Sequence, residues 1–280
     1  MGRKKVYIIV GAILFLFLLT IVSISIASRL TARRSIALVE VKGEISESKD
    51  VIKNLEKVRK NRLIKGVVIY LNTPGGAVVP CQEIVDEIDR LQDEEKIVVA
   101  SLGTVAASGG YYIASTADRI VANPGTITGS IGVIMQLPSV EELTKKIGIE
   151  MRVIKSRKYK DIASPFRKME KDERELLQDV VNDVYDQFVD EVVKSRGIER
   201  DSVMKIADGR IFSGKKAKEL GLVDTLGSLE DAIMIAGELA GIKGKPTVIE
   251  LKERKIPRIF RLFSSIEKRK TVKLEYIFKP

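Results

Sequence analysis

The stretch TVAASGGYYIAS, residues 104–115, poses the question around which the rest of the sequence can be arranged. Ser108 stands between two alanines and two glycines, where an apolar helix is about to begin. Two glycines behind a serine leave room for another group to approach the backbone closely. The question is whether Ser108 is a nucleophile and, if so, which side chain takes its proton.

The composition excludes several classes of site. The 280 residues include no histidine and one cysteine, Cys81. Without histidine there is no Ser-His-Asp triad and no HExxH zinc site. One cysteine forms neither an intrachain disulfide nor a zinc or iron–sulfur centre. Carboxylates and lysines remain as bases for a serine.

The N-terminus is predicted to be a membrane anchor. Residues 6–28 carry no charge, and as a helix they extend about 35 Å, against a bilayer core of about 30 Å. We therefore assign residues 1–5 to a cytoplasmic N-terminus and residues 6–28 to an uncleaved transmembrane span, with cleavage after SIAS as the alternative. Basic residues flank the span almost equally, so the positive-inside rule does not decide the orientation.

Short apolar strands alternate with helical patterns from residue 35 to 250, which predicts one α/β domain. A capping box is expected at Ser139 and Glu142, ahead of a short helix. The further expected elements are strands at 35–45, 66–71, 96–101, 150–156 and 247–251, and helices at 50–61, 78–93, 170–196, 202–207, 214–220 and 228–240.

The C-terminal residues 251–280 are read as a basic tail. From residue 252 onward there are ten Lys or Arg against Glu253, Glu267 and Glu275, within a chain of net charge +10. A solvated tail or a subunit contact is the favoured interpretation of this segment. Binding to an anionic membrane surface through its interspersed apolar residues is the alternative, and the predicted anchor argues against nucleic acid as a partner.

Lysine is one of the two kinds of base that this composition leaves open for Ser108. A serine hydroxyl is a poor nucleophile unless a base within hydrogen-bond reach removes its proton. The reference pKa of lysine is about 10.4, and burial lowers it far enough for the neutral amine to act. The segment VIKSRKYKDIASPFR carries Lys155, Lys158 and Lys160, and spacing alone does not choose among them.

Five motifs occur in a fixed order along the chain: NTPGG, ASGGYYIAS, GTITGSIGV, KYKDIASPFR and DGRIFSGKKAKELGLVDTLG. Together they resemble the signal peptide peptidase family of membrane-anchored Ser-Lys serine proteases, in its short single-domain form, over residues 36–242. The resemblance implies that Ser108 is the nucleophile, that Lys160 is the general base and that Ser130 orients the lysine.

The position of Ser108 at a helix start favours an oxyanion hole formed by the amide of Gly109 and one amide of the Gly75-Gly76 pair, with Gly76 preferred. Three positions depart from the family pattern. Thr73 replaces a usual serine, Cys81 stands where serine is common, and Arg157 stands where a glycine often precedes the lysine motif. None of these changes removes a catalytic group.

The resemblance implies a ClpP/crotonase-like α/β fold and a homo-oligomeric ring, commonly an octamer, without a metal or cofactor. The expected protein is a single-pass enzyme of the cell membrane with its catalytic domain on the extracytoplasmic side. It would degrade short apolar peptides such as released signal peptides. A crotonase-like acyl-CoA enzyme and a membrane-tethered scaffold without activity are the alternatives, and neither requires a reactive serine.

Overall fold

The computed structural model describes residues 13–23, 35–251 and 274–278. The helices are α1 (13–23), α2 (Lys49–Lys60), α3 (Val78–Asp93), α4 (Gly109–Ser115), α5 (Glu141–Lys146), α6 (Lys171–Arg196), α7 (Arg200–Met204), α8 (Gly214–Glu219) and α9 (Leu229–Leu239), with a 3₁₀ turn at Lys158–Asp161. The strands are β1 (Ser35–Lys42), β2 (Ile64–Thr73), β3 (Gly75–Ala77), β4 (Ile97–Ala107), β5 (Arg119–Ala122), β6 (Ile127–Gly129), β7 (Ile134–Met135), β8 (Ile211–Ser213), β9 (Thr225–Leu226), β10 (Thr247–Leu251) and β11 (Leu274–Ile277).

The central sheet is parallel along the strand order β10-β1-β2-β4-β5-β9. Side chains alternate between its two faces, as the pleat requires. Ile36, Val68 and Val99 pack against α9 on one face. Their chain neighbours Ala37, Val67 and Val98 join the larger core with α2, α3, α4 and α6 on the other. A parallel sheet covered by helices on both faces confirms the predicted α/β architecture.

The long strand β4 divides its pairing between two neighbours, and this division positions the site. Its first half pairs with β5, and its last residues, Val105 to Ala107, pair in parallel with β6. In register, Ala107 lies beside Gly129, the last residue of β6. The residues that follow the two strand ends are Ser108 and Ser130.

A second, smaller sheet crosses the carboxyl end of β4. It has the order β3-β11-β7, with antiparallel pairing on both sides of β11. Strand β11 comes from the segment assigned above to the basic tail. The other residues of that tail, apart from Leu251 and Phe278, lie outside the described part of the chain.

Two local expectations are wrong. Helix α5 begins after Val140 without a side-chain cap, because the Val140 amide is bound to the Pro165 carbonyl (2.7 Å) and the helix starts one residue late for a Ser139 capping box. The predicted strand at 150–156 forms no ladder within the described residues. Its apolar side chains find no sheet edge in the single chain, and Ile154 is fully exposed.

The predicted transmembrane span, 6–28, lies only partly within the described residues, of which 13–23 form α1. Across residues 13–23, 35–251 and 274–278, no helix is both long and apolar enough to cross a membrane.

Candidate active site

Ser108 occupies a sharp turn between β4 and α4. Its backbone has φ 53° and ψ −116°, a conformation that costs a non-glycine residue about 1–3 kcal/mol. The Ser108 amide donates to the Gly129 carbonyl, and its own carbonyl accepts from the Tyr112 amide, each at 2.8 Å. These main-chain bonds hold the serine at a strand-to-helix turn, the geometry that presents nucleophiles in other hydrolases.

Ser130 reaches the same place from the end of β6. It too has a positive φ of 52°, and its amide donates to the Arg210 carbonyl at 2.8 Å. Both serines are buried and line one cavity of about 700 Å³, which Gly209, Ile277 and Phe278 also line. The structure therefore brings the predicted nucleophile and the predicted lysine-orienting residue to a shared space.

The Pro-Gly-Gly loop approaches the serine turn from the other side. The Thr73 hydroxyl accepts a hydrogen bond from the Gly75 amide (3.0 Å), which closes the loop. A side chain at Gly75, where φ is +101°, would place its first carbon 1.9 Å from the Tyr276 carbonyl oxygen and 2.7 Å from the Gly109 amide nitrogen. Only glycine permits this approach of three backbone segments.

The Tyr276 carbonyl lies where the two predicted oxyanion glycines meet. The Phe278 amide donates to the Pro74 carbonyl at 2.6 Å. Tyr276, two residues before Phe278, is paired with Gly76, two residues after Pro74, in the antiparallel ladder. Hydrogen-bonded pairs recur at every second position of such a ladder, so the Gly76 amide faces the Tyr276 carbonyl. The same oxygen lies 2.9 Å from where a Cβ on Gly109 would sit. This arrangement can stabilise negative charge on a peptide carbonyl oxygen.

Lys160 lies apart from the two serines. It is exposed, in the 3₁₀ turn Lys158–Asp161, and it is not among the residues that line the cavity. Its amide donates to the Arg157 carbonyl (3.2 Å), and its ammonium group has no hydrogen bond or ion pair within the described residues. Within the described residues, Lys160 therefore forms no part of the wall of the cavity that holds Ser108.

The other two lysines of this segment are already paired. Lys155 binds Asp161 at 2.6 Å and the Lys158 carbonyl at 2.9 Å. Lys158 binds Asp172 at 2.6 Å, and this hydrogen bond raises the pKa of the Lys158 ammonium group. Either lysine would have to break ion pairs and lose a proton before it acted as a base.

Tyr276 fills a closed pocket beneath Gly109. Its ring centroid lies 5.1 Å from that of Tyr112 and 4.7 Å from that of Phe188, and its hydroxyl donates to the Val184 carbonyl at 3.2 Å. The side chain is fully buried, and burial raises the pKa of the phenol. The pocket thus holds a neutral tyrosine in contact with aromatic rings and one carbonyl.

Cys81 belongs to the wall of this pocket. Its sulfur lies 2.7 Å, and the Tyr276 Cβ 3.1 Å, from the point where a Cβ on Gly109 would sit. The thiol is buried, and burial raises its pKa to about 12. A protonated, enclosed thiol is a poor nucleophile, which favours the structural interpretation of Cys81.

The sequence predicts no role in the site for Tyr276 or its pocket. The run LEYIF combines β-branched and aromatic residues, a strand signal, but it lies in a segment whose dominant pattern is positive charge. The pocket itself is assembled from α3, α4 and α6, which no local pattern connects.

The families and proteins to which this chain is similar are described as proteases. The family described as Peptidase family S49 matches residues 90–243, and the family described as Clp protease matches residues 20–128. A Synechocystis protein named as a protease is 42% identical over 234 residues, which cover 83% of this chain and 84% of that protein.

Two further relatives carry more specific names. An Enterococcus faecium protein named as signal peptide peptidase SppA is 38% identical over 64% of this chain and 52% of its own length. The chloroplastic serine protease SPPA of Arabidopsis thaliana is 34% identical over 78% of this chain and 35% of its own length.

Proposed function

Because this chain belongs to peptidase family S49 and is a serine protease, we propose that it is a Ser-Lys endopeptidase of the signal peptide peptidase type. Ser108 is the nucleophile, Lys160 the general base and Ser130 the residue that orients the lysine. One observation carries the proposal: the carbonyl of Tyr276, on an extended strand, is paired with Gly76 and lies beside Gly109, the residue that follows Ser108.

The chemistry uses the chain's own groups. The Ser108 oxygen attacks the carbonyl carbon of an extended peptide while its proton passes to the neutral amine of Lys160. The carbonyl oxygen becomes an oxyanion that accepts hydrogen bonds from the Gly76 and Gly109 amides, each worth about 10²–10³ in rate. Protonated Lys160 then gives the proton to the leaving amine as the C–N bond breaks. Water attacks the resulting ester with Lys160 again as base.

Lys160 has to be supplied to this site from elsewhere, and we assign it to a neighbouring copy in a ring. Its ammonium group is exposed and has no partner within the described residues, whereas the catalytic amine needs an apolar surround. The residues that precede its turn expose apolar side chains at Ile149, Val153 and Ile154. Exposed apolar surface beside a catalytic group favours a subunit contact that completes the site, and the ClpP-like match supports a ring.

A mixing experiment tests both the dyad and its origin. Detergent-solubilised full-length Ser108→Ala and Lys160→Ala should each cleave an apolar fluorogenic peptide at least about 10³-fold more slowly than the unmodified protein. Co-assembled in equal amounts, they should recover about a quarter of its activity if each site draws its lysine from a neighbour. A mixture as inactive as its parts would place serine and lysine in one chain. Full activity of Lys160→Ala would overturn the base assignment, and Lys155 and Lys158 would be tested next.

Ser139→Ala is the matched control for the nucleophile, because this exposed serine lies outside the cavity. A fluorophosphonate reagent should label the unmodified protein and Ser139→Ala but leave Ser108→Ala unlabelled. Labelling of Ser108→Ala would contradict the nucleophile assignment.

We further propose that the enzyme is anchored through residues 6–28, with its catalytic domain on the extracytoplasmic side, and acts on apolar peptides such as released signal peptides. Support comes from the uncharged N-terminal run and from α1, whose apolar side chains are exposed from Ile13 to Val22. Added protease should digest the catalytic domain in intact spheroplasts. Digestion only after lysis would contradict the orientation.

A further inference from the structure

Strand β3, which carries Gly76, is held on its other edge, away from β11, by a second segment of main chain. The Ile45 amide donates to the Gly75 carbonyl at 2.9 Å, and the Ile45 carbonyl accepts from the Ala77 amide at 2.8 Å. The two segments run parallel, with Ile45 opposite Gly76. A Cβ on Gly76 would lie 2.1 Å from the Ile45 carbonyl oxygen, so a glycine is needed for the two backbones to come this close.

These hydrogen bonds fix the direction in which the Gly76 amide points. The Gly75 carbonyl and the Gly76 amide belong to one trans peptide, which is planar, so its C=O and N–H bonds point in opposite directions. Ile45 holds the carbonyl on one side, and the amide therefore points to the other side, toward the proposed oxyanion position. Two consecutive glycines impose little preference of their own on the backbone, so a neighbour has to impose the orientation.

Ile45 is anchored by its side chain and by the residues on both sides of it. The side chain is buried in the larger core. Two residues earlier, the Gly43 amide donates to the Asn72 carbonyl at 3.1 Å. Three residues later, the buried Ser48 donates from its hydroxyl to the Glu83 carboxylate on α3. The segment that orients the Gly75-Gly76 peptide thus ends in a hydrogen bond between two side chains.

The Ser48 hydroxyl has an uncommon partner for its position in the fold. Ser48 is the N-cap of α2, where a serine side chain ordinarily accepts a hydrogen bond from the first turn of its own helix. It makes no such cap and donates instead to Glu83 in the second turn of α3. Because α3 begins directly after β3, this bond ties the Ile45 segment to the helix that continues from the strand of Gly76.

We propose that Ser48 and Glu83 are positioning residues for the oxyanion hole. They hold the Ile45 main chain against the Gly75 carbonyl and thereby direct the Gly76 amide at the carbonyl of the substrate. Neither side chain lines the cavity at the nucleophile, so both act through the main chain. The inference rests on the proposed function, because the direction of this amide affects a rate only where a carbonyl oxygen becomes charged beside it.

Ser48→Ala tests the inference in the full-length, detergent-solubilised protein with the apolar fluorogenic peptide. We expect kcat to fall about 10-fold, because a small misplacement of a catalytic group is costly. KM should stay within about twofold, since the bond to the oxyanion reaches full strength only in the transition state. Ser48→Thr, which retains the hydroxyl group, should bring kcat back to within about twofold of the unmodified protein. Ser46→Ala is the matched control, because this serine is exposed, and it should leave kcat unchanged.

A double-mutant cycle tests whether the bond between the two side chains is responsible. Glu83→Ala should lower kcat as much as Ser48→Ala, and the variant with both substitutions should be no slower than either, because all three lose the same hydrogen bond. Losses that multiply in the double variant would overturn the pairing. Glu83 is exposed, so its substitution decides the question even if Ser48→Ala does not fold.

Hydrogen exchange gives a readout that needs no catalysis. The Ile45 and Ala77 amides donate between the two segments, and both should exchange faster in Glu83→Ala than in the unmodified protein. Unchanged exchange together with unchanged kcat would overturn the inference. A lower thermal midpoint with normal kcat would also overturn it, since the bond would then serve stability alone. Failure of the proposed function looks different: even the unmodified protein cleaves no peptide, while exchange at these amides still responds to Glu83→Ala.

Discussion

The turn that carries Ser108 and the segment that carries Lys160 are built in opposite ways. Main-chain hydrogen bonds from β6 and α4 hold Ser108, and the serine is buried. The lysine segment is held by charged side chains: Arg167 binds Asp161 at 2.9 Å and Glu173 at 2.8 Å, and Lys155 also binds Asp161. Lys160 itself is exposed.

The difference indicates which half of the proposed dyad is fixed by folding. Backbone hydrogen bonds within a covered sheet respond little to pH or salt, so Ser108 is in place once the chain has folded. Ion pairs near the surface weaken as their carboxylates become protonated or as salt screens them. We expect the nucleophile to be insensitive to changes that move or disable the base.

The sharpest test separates Lys160 from its neighbour Lys155. Lys160→Met should lower kcat/KM at least about 10³-fold and leave the thermal midpoint unchanged, because its ammonium group has no partner within the described residues. Lys155→Met should lower the thermal midpoint, since Lys155 binds Asp161, and should lower kcat/KM far less than Lys160→Met. Peptide kinetics and thermal unfolding of both variants check this, and a Lys160→Met enzyme with normal kinetics would remove the contrast.

Gly109→Ala tests the turn that carries Ser108. The added carbon would lie 2.7 Å from the Cys81 sulfur and 2.9 Å from the carbonyl oxygen at the oxyanion position. Alanine keeps the backbone N–H, but the clash moves that amide out of position, and we expect kcat to fall about 10²–10³-fold, as when one oxyanion donor is lost. Gly125→Ala is the matched control, because no atom lies within 4 Å of its added carbon, and equal losses in the two variants would contradict the assignment.

Arg167→Met tests the ion pairs that hold the segment carrying Lys160. Glu173 is almost fully buried, and loss of its arginine leaves a carboxylate without its main partner. We expect a lower thermal midpoint by about 2–4 °C and an activity loss of about 10-fold through a misplaced Lys160 turn. Hydrogen exchange should rise in residues 155–170 and stay constant around Ser108. Arg152→Met, which removes an exposed ion pair with Glu150, should leave the thermal midpoint, the activity and the hydrogen exchange unchanged.

Low pH should loosen the segment that carries Lys160 and leave the Ser108 turn in place. Hydrogen bonds from Arg167 and Lys155 lower the pKa of Asp161, and Arg167 lowers that of Glu173. A lowered folded-state pKa contributes stability that is present above the ordinary carboxyl value of about 4 and is lost as pH falls through the folded value. Protection factors in residues 155–170, which are corrected for the intrinsic pH dependence of exchange, should therefore fall below about pH 4 while the Ser108 turn stays protected. Simultaneous loosening would contradict the division.

Thr73→Ser should have the smallest effect. The substitution retains the hydroxyl group that closes the Pro-Gly-Gly loop. It removes only the Thr73 methyl group, Cγ2, which packs against Gly110; a Cβ built on that glycine would lie 2.7 Å from it. We expect kcat/KM within about twofold of the unmodified enzyme. Thr73→Val, which keeps the shape and removes the acceptor for the Gly75 amide, should lose more; equal kinetics would show that the hydrogen bond is dispensable.

The central sheet and its helices could be predicted because their signals are local. Apolar strand runs and helix periodicity identified β2, α3, α6 and α9 to within a few residues. Strand β11 could not be assigned in this way, since its partners β3 and β7 precede it by more than a hundred residues. The choice among the three lysines was also beyond local spacing, because it depends on which of them the carboxylates Asp161 and Asp172 engage.

The place of β11 in the small sheet has a consequence for the order of folding. Its partners β3 and β7 precede it by more than a hundred residues, and pairing between such distant segments is slow because a long loop has to close first. We therefore expect the Ser108 turn, which is held by neighbouring strands of the central sheet, to form before β11 completes the small sheet beside it.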